Sequence, residues 1–380
     1  FSPFFFFSGG LLIVPDGPLN FFVVSSLYFI SKIIFFKNGG SLVDWLVIGV
    51  LMALAFLSKY QAYFFGLSLL IYFIFWKKEI LISKKFFISF IIASMGLLPV
   101  IIWNFNNDFS SFLFHQSRSS FNFHPDRFLV LFLAQLFFIL PSTAIVIFIN
   151  FFYSQKKELK NLEPFFYILA FPPIVFFNLV NFFSGNSFAH WAMIGWMLLI
   201  PVCSNFIVSL NLFKWQTYFL KGINVIAIFS LIFVILVQSK TGFLTKKNES
   251  NSSFPKWDNT KEILNWSNIV EILKNNLSEK ELESLVTLNW YYSGQLNTAF
   301  SFKYSVGVIG NNDHHFRYLQ TPERTYPVLV DIRLLNDIND NFVDEKLDEL
   351  GYKTLMKTSI PYSRGKHVYG NVKIYKIKRK

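Results

Sequence analysis

The segment WLVIGVLMALAFLSKYQAYFFGLSLLIYFIFW, residues 45–76, constrains the fold of this chain more than any other. It runs for 32 residues with a single charge, Lys59. One membrane-crossing helix needs about 20 apolar residues and two need about 40, so the segment is too long for one crossing and short for two. Lysines flank it on both sides: Lys37 before it, and Lys77, Lys78, Lys84 and Lys85 after it. Short basic loops stay on the cytoplasmic side, so both ends belong to one face and the chain must go in and return. The turn then falls at Ser58-Lys59-Tyr60-Gln61, on the opposite face.

The same reasoning orders the rest of the apolar chain. Residues 4–14 end a span and 19–36 form the next. Residues 86–103 cross outward, with Pro99 kinking the helix near its outer end. Residues 128–152 return, 164–183 go out with a break at Pro172-Pro173, 192–210 come back and 223–238 make the last crossing. About eight complete crossings result. The remaining lysines of the loops fall into this pattern, at 156–160, Lys214 and Lys221, while the other face carries only Lys59, Arg118 and Arg127. A hydrophobic content of 53% with 50 Phe excludes a soluble domain, and the formal charge of +12 reflects basic loops, not nucleic-acid binding. The one cysteine, Cys203, sits in an apolar run and permits no disulfide framework. The chain opens at Phe1 inside an apolar run and reads as N-terminally incomplete.

Within this frame GGLLIVPDGPLNFF, residues 9–22, stands out because Asp16 interrupts two apolar runs. An ionisable group at membrane depth costs about 2.5–3.5 kcal/mol on insertion scales and so tends to mark function. The plainer reading makes Asp16 a cap for the helix opening at Pro18.

From Ser239 the composition turns polar. The expected organisation is a membrane region over 1–238, a linker over 239–257 containing KKNESNSS, and a small extracytoplasmic α/β domain over 258–380. There, DNTKEILNWSNIVEILKNNL has helical spacing with Asp258 and Thr260 available as caps. SLVTLNW, VGVIG and YPVLVDI have strand length, and NVKIYKI alternates as an edge strand would. The sequons at Asn248 and Asn251 matter only in a eukaryotic secretory setting. Asp313-His314-His315 looks metal-like, although adjacent side chains seldom reach one ion and simple solvation is the plainer reading. There is no GxGxxG, no P-loop and no Ser-His-Asp or Cys-His constellation.

Four stretches together, GGLLIVPDGPLNFF, GVLMALAFLSKYQAYF, PVIIWNFNNDFSSFLFHQSR and SFAHWAMIGW, resemble the PMT-type lipid-linked glycosyltransferases. The branch is similar to the aminoarabinose transferase acting on lipid A and to the RgtA/B/C/D-like enzymes. This resemblance implies a GT-C bundle in a bacterial inner membrane with a periplasmic C-terminal domain. It implies an inverting transfer of a sugar from a polyprenyl-phosphate donor to a lipid, polysaccharide or protein acceptor of the cell envelope. No cofactor is certain, and a divalent metal is possible. It further implies that the acidic residue usually assigned as base, in the family's first outer loop, would precede Phe1.

Such chemistry needs a carboxylate to orient or deprotonate the acceptor, cations for the leaving phosphate, and an apolar groove for the lipid. By the resemblance, Asp16 takes the acidic position of the sugar site. Lys59, His115 and Arg118 take phosphate-binding positions, Arg118 having the geometry for a bidentate contact. Asn104, His190 and Trp191 match further site positions. Each has a plainer alternative: Lys59 as a snorkelling lysine, His115 as a loop histidine, and Arg118 paired with Asp108 or Asp126. Trp191, like Trp103 beside Asn104, also fits the aromatic belt. A transporter or flippase of lipid-linked sugar is the competing class, but such proteins show repeated halves and charges at the midplane, and neither is seen here.

Overall fold

The computed structural model describes residues 2–6, 14–36, 39–117, 123–154, 162–184, 187–210, 214–243, 246–247, 252–253, 260, 263–310, 316, 326–334 and 342–380. Two compact units result, Phe1–Ile228 and Phe229–Lys380.

The first unit is helical. A single turn, α1 (Pro3–Phe6), precedes α2 (Asp16–Phe35), α3 (Leu42–Ser58), α4 (Ala62–Trp76) and the short α5 (Lys78–Leu81). Next come α6 (Lys84–Met95), α7 (Leu98–Asn106), α8 (Ser110–Ser117), α9 (Pro125–Phe138), α10 (Pro141–Ser154) and α11 (Leu162–Phe183). A 3-10 turn at Ala189–Ala192 leads into α12 (Met193–Leu198) and α13 (Ile200–Ser209), and α14 (Lys214–Thr241) runs on across the boundary between the units. Among the described residues, four helical segments are long and apolar enough to cross a membrane: Asp16–Phe35, Lys84–Asn106 (α6 with α7), Glu163–Phe183 and Lys214–Thr241. Two bent pairs raise this to six if each is one span: α9 with α10, at 99°, and the segment Ala189–Leu198 with α13, at 47°. This is fewer than the eight crossings expected, because α3 and α4 are apolar but only 17 and 15 residues long. The polytopic helical fold class stands.

The expected reversal inside 45–76 is present: α3 ends at Ser58 and α4 begins at Ala62. At the other end of α3, Ser41 and Asp44 form a capping box. Asp44 N–H donates to the Ser41 hydroxyl at 3.2 Å, and Ser41 N–H donates to the Asp44 carboxylate at 2.9 Å. Lys85 donates to the carbonyl of Gly40 at 2.7 Å, which brings the loops before α3 and before α6 together as the lysine pattern requires.

Packing of α3 on α6 depends on small residues. A Cβ on Gly49 would lie 2.8 Å from the Ser89 carbonyl oxygen, and one on Gly96 would run into the backbone of Ala53. Such close backbone approach is the usual way helices associate in lipid, where burying apolar surface gives no drive. Gly96-Leu97 is also where the helix breaks between α6 and α7, with Pro99 in the first turn of α7. Pro172-Pro173 does not break α11, contrary to expectation: the helix continues through both. Membrane helices tolerate prolines because neighbouring groups can satisfy the carbonyls that they leave free. A buried amide network supplies polar glue beside it. Gln135 and Asn178 exchange hydrogen bonds at 3.0 and 3.2 Å, and the Trp196 indole donates to Gln135 at 2.9 Å.

In the second unit a two-residue hairpin, β1 (Lys246–Lys247) with β2 (Ser252–Ser253), precedes an α/β domain. Its elements are α15 (Trp266–Asn276), α16 (Glu279–Leu282), β3 (Leu285–Thr287), α17 (Trp290–Ala299), β4 (Gly307–Val308), β5 (Val328–Leu334), α18 (Phe342–Glu349), β6 (Tyr352–Arg364) and β7 (His367–Arg379). The sheet order is β4-β3-β5-β7-β6, with β4, β3 and β5 parallel and the β6–β7 hairpin antiparallel. NVKIYKI is therefore an interior strand, not an edge. Val372, Ile374, Tyr375 and Ile377 are all buried, because the sheet continues on both sides through β5 and β6. The cap of α15 is Asn265, which accepts from Asn268 N–H at 3.2 Å. Thr260 is instead held by Arg364, and Asp258 lies outside the described residues.

Candidate functional site

Asp16 opens α2. The cap position is taken by Pro15, which offers no side-chain acceptor, and the carboxylate is turned toward another helix. Its partner is Lys59, whose ammonium donates to Asp16 Oδ2 at 2.7 Å. Lys59 is the extended residue that ends α3 and starts the turn to α4, so the helical hairpin delivers it to the start of α2. The side chains are 11% and 23% exposed, so the pair is largely withdrawn from solvent yet still reachable. Removing either partner of such a pair leaves the other as a costly unpaired charge. The cap reading of Asp16 and the snorkelling reading of Lys59 both yield to this contact.

The elements around the pair converge on the same end of the bundle. His190, in the 3-10 turn, lies between the rings of Phe4 and Phe188, with centroids at 6.3 and 5.6 Å. It is close enough to Asp16 and Lys59 to interact with both charges. Trp191 packs edge-on against Phe177 and Phe188 and is half-buried, anchoring the turn to α11. Arg127, at the start of α9, donates to the Ser187 carbonyl at 2.8 Å and ties that helix to the same turn.

Asn104 is 1% exposed and faces inward. Its amide nitrogen donates to Val100 O at 2.9 Å, and its oxygen accepts from the Ser111 hydroxyl at 2.7 Å. With the Ser111 proton so placed, the Tyr60 hydroxyl must donate across the 2.9 Å contact to Ser111. This chain links α7 and α8 to the residue following Lys59, so Asn104 here braces the turn. Of the other expected positions, His115 lies on α8 with its side chain outside the described set, and Arg118 is outside the described residues, as are Asp313-His314-His315 and the sequons. Among the described residues no group of three or more His, Cys, Asp or Glu side chains is placed to hold a metal ion. Sequence reasoning did not single out Gln61 or Asn181, two buried amides at this end of the unit. The only available signal was the position of Gln61 two residues after Lys59.

Residues 2–103 match the family model of the dolichyl-phosphate-mannose-protein mannosyltransferases. These residues are similar to that family. Asp16, Lys59 and Gln61 fall inside the matched segment, and Asn104, Asn181, His190 and Trp191 lie beyond it. The family is one of membrane glycosyltransferases, which agrees with the polytopic fold. No curated protein and no solved structure matches the chain.

Proposed function

We propose that this chain is an integral-membrane glycosyltransferase that takes a sugar from a polyprenyl-phosphate donor and passes it, with inversion, to an envelope lipid, polysaccharide or protein acceptor. The observation that carries this reading is the Asp16–Lys59 contact inside the matched segment. In the transfer, an acceptor hydroxyl oxygen bonds to the anomeric carbon while the bond from that carbon to the phosphate oxygen breaks. The bonding pair leaves on the phosphate and the hydroxyl proton goes to a base. Lys59 is the cation that meets the phosphate as its charge builds, at an end of the bundle where partial burial strengthens the attraction. Asp16 keeps Lys59 in place before the donor arrives, then orients sugar or acceptor hydroxyls once the phosphate competes for the ammonium. By the resemblance, Arg118 and His115 add donors for the phosphate, and His190 and Trp191 border the sugar.

Two other carboxylates of the membrane unit are engaged elsewhere: Asp44 in its capping box and Glu163 with Asn205. The end bearing Asp16 faces the periplasm in this reading, because the loops at the opposite end carry the lysine clusters. The test is transfer of labelled sugar from polyprenyl phosphate by the complete protein carrying Asp16→Ala. Loss of transfer with normal membrane insertion is expected, and full activity would exclude an essential role for this carboxylate.

A further inference from the structure

Two buried side-chain amides of the membrane unit have polar atoms with nothing to bind. Gln61 is 8% exposed and its Oε1 has no partner among the described residues. Asn181 is fully buried, and neither its Nδ2 nor its Oδ1 has one. Buried amide groups are almost always hydrogen-bonded and costly when they are not, so each such group asks for an explanation.

Geometry places the two amides at one level. Helices α4 and α11 run antiparallel: Tyr72 meets Phe165 at 4.8 Å, and Phe64 meets Phe176 and Phe177 at 4.3 and 4.9 Å. Carrying this pairing one turn further brings Gln61, just before α4, level with the last turn of α11, where Asn181 sits. Phe177, one turn before Asn181, also holds Trp191, so the amides border the turn that carries His190. On the other side, Gln61 is two residues from Lys59. Asn20, one turn along α2 from Asp16, adds a third buried amide nitrogen without a partner.

We infer that Gln61 and Asn181 form the hydroxyl-binding wall of the sugar subsite, beside the phosphate-binding Lys59. The inference rests on the glycosyl-transfer reading and deepens it. The unmet atoms select the ligand chemistry. Asn181 needs one donor and one acceptor whichever way its amide is turned, and Gln61 Oε1 needs a donor. An ionised phosphate offers acceptors only and cannot satisfy both. A polyhydroxyl ring offers donors and acceptors together, so the amides match the sugar and the ammonium matches the phosphate.

The experiment uses the full chain in detergent or bilayers and measures binding of a bare polyprenyl phosphate. The same lipid carrying a hexose, a hexosamine or a pentose is measured alongside, with wild type, Asn181→Leu and Gln61→Leu. Wild type is expected to bind at least one sugar-bearing lipid about tenfold more tightly than the bare lipid, a gain of about 1.4 kcal/mol. In each variant that preference collapses to within about twofold, binding of the bare lipid holds, and the thermal midpoint does not fall, because an unmet buried polar group is being replaced by an apolar one of similar size. Equal loss for bare and sugar-bearing lipids, a preference that survives both substitutions, or no sugar preference in wild type overturns the inference while leaving the phosphate site standing. Failure of wild type to bind any of these lipids would instead remove the glycosyl-transfer reading, and the inference with it.

Discussion

The Lys59 ammonium lies 2.7 Å from Asp16 Oδ2, although 43 positions separate the two residues in the chain. The contact joins the start of α2 to the turn between α3 and α4, so one ion pair fixes three helices at one end of the bundle. A largely buried pair contributes little net stability but makes each partner dependent on the other.

That dependence is measurable. Asp16→Asn and Lys59→Met should each destabilise the folded protein, and the double variant should be less destabilised than the sum. The coupling energy should be about 1–3 kcal/mol, as for residues in direct contact. Denaturation midpoints of the four proteins in one detergent give the value. Strict additivity would mean that the contact carries no energy.

Close approach of α3 and α6 leaves no room at Gly49 or Gly96. Gly49→Val or Gly96→Val should cost about 1–3 kcal/mol through overpacking, with backbone as the obstacle at both sites. A Gly222→Val control meets nothing within 4 Å and should be nearly silent. Thermal aggregation midpoints of the three variants separate these outcomes.

Arg364 is 3% exposed and organises the entry to the C-terminal domain. Its guanidinium donates to Thr260 O at 2.8 Å, Ile263 O at 3.0 Å and Thr260 Oγ1 at 3.2 Å, and stacks 3.9 Å from the Tyr369 ring. Arg364→Met strands those carbonyls and should cost at least about 2 kcal/mol, since hydrogen bonds to charged groups contribute about 1.5–3 each. Arg364→Lys should not restore it, because an ammonium lacks the planar fork. Proteolysis between residues 239 and 265 reports the loosening.

The C-terminal domain should lose stability in acid through Glu281. Its carboxyl is held at about 2 by the Lys376 ammonium and by the backbone and hydroxyl of Ser278. A folded-state value below the unfolded one, about 4.3, gives stabilisation that is complete above the unfolded value and disappears as pH falls through the folded one. Hydrogen exchange in α16 and β7 should therefore accelerate between about pH 4.5 and pH 2, and Glu281→Gln should flatten that dependence. The effect is modest because the carboxylate keeps part of its contact with water.

Much of this architecture is legible in the residues. Lysines around 45–76 are enough to place the reversal at 58–61, and with it Asp16 and Lys59 at one end. The match over 2–103 covers the part of the resemblance that includes both. Local patterns fail where tertiary contacts decide. Pro172-Pro173 reads as a break, yet packing carries α11 through it. The alternation of NVKIYKI suggests an edge, yet β6 covers its far side, and 352–364 carries too few apolar residues to announce itself as a strand. Gln61 and Asn181 look like ordinary polar residues near helix ends; only burial without partners distinguishes them.

The most direct test of the account separates donor binding from turnover at the ion pair. Steady-state transfer of labelled sugar from its polyprenyl-phosphate carrier would be compared for the complete protein, Asp16→Asn and Lys59→Met in proteoliposomes. The account predicts that Asp16→Asn lowers kcat by about 100-fold or more, and that Lys59→Met weakens the donor KM as well as kcat, in line with the loss of an orienting carboxylate and of a phosphate-stabilising cation. Wild-type kcat and KM in both variants, with normal insertion, would contradict it.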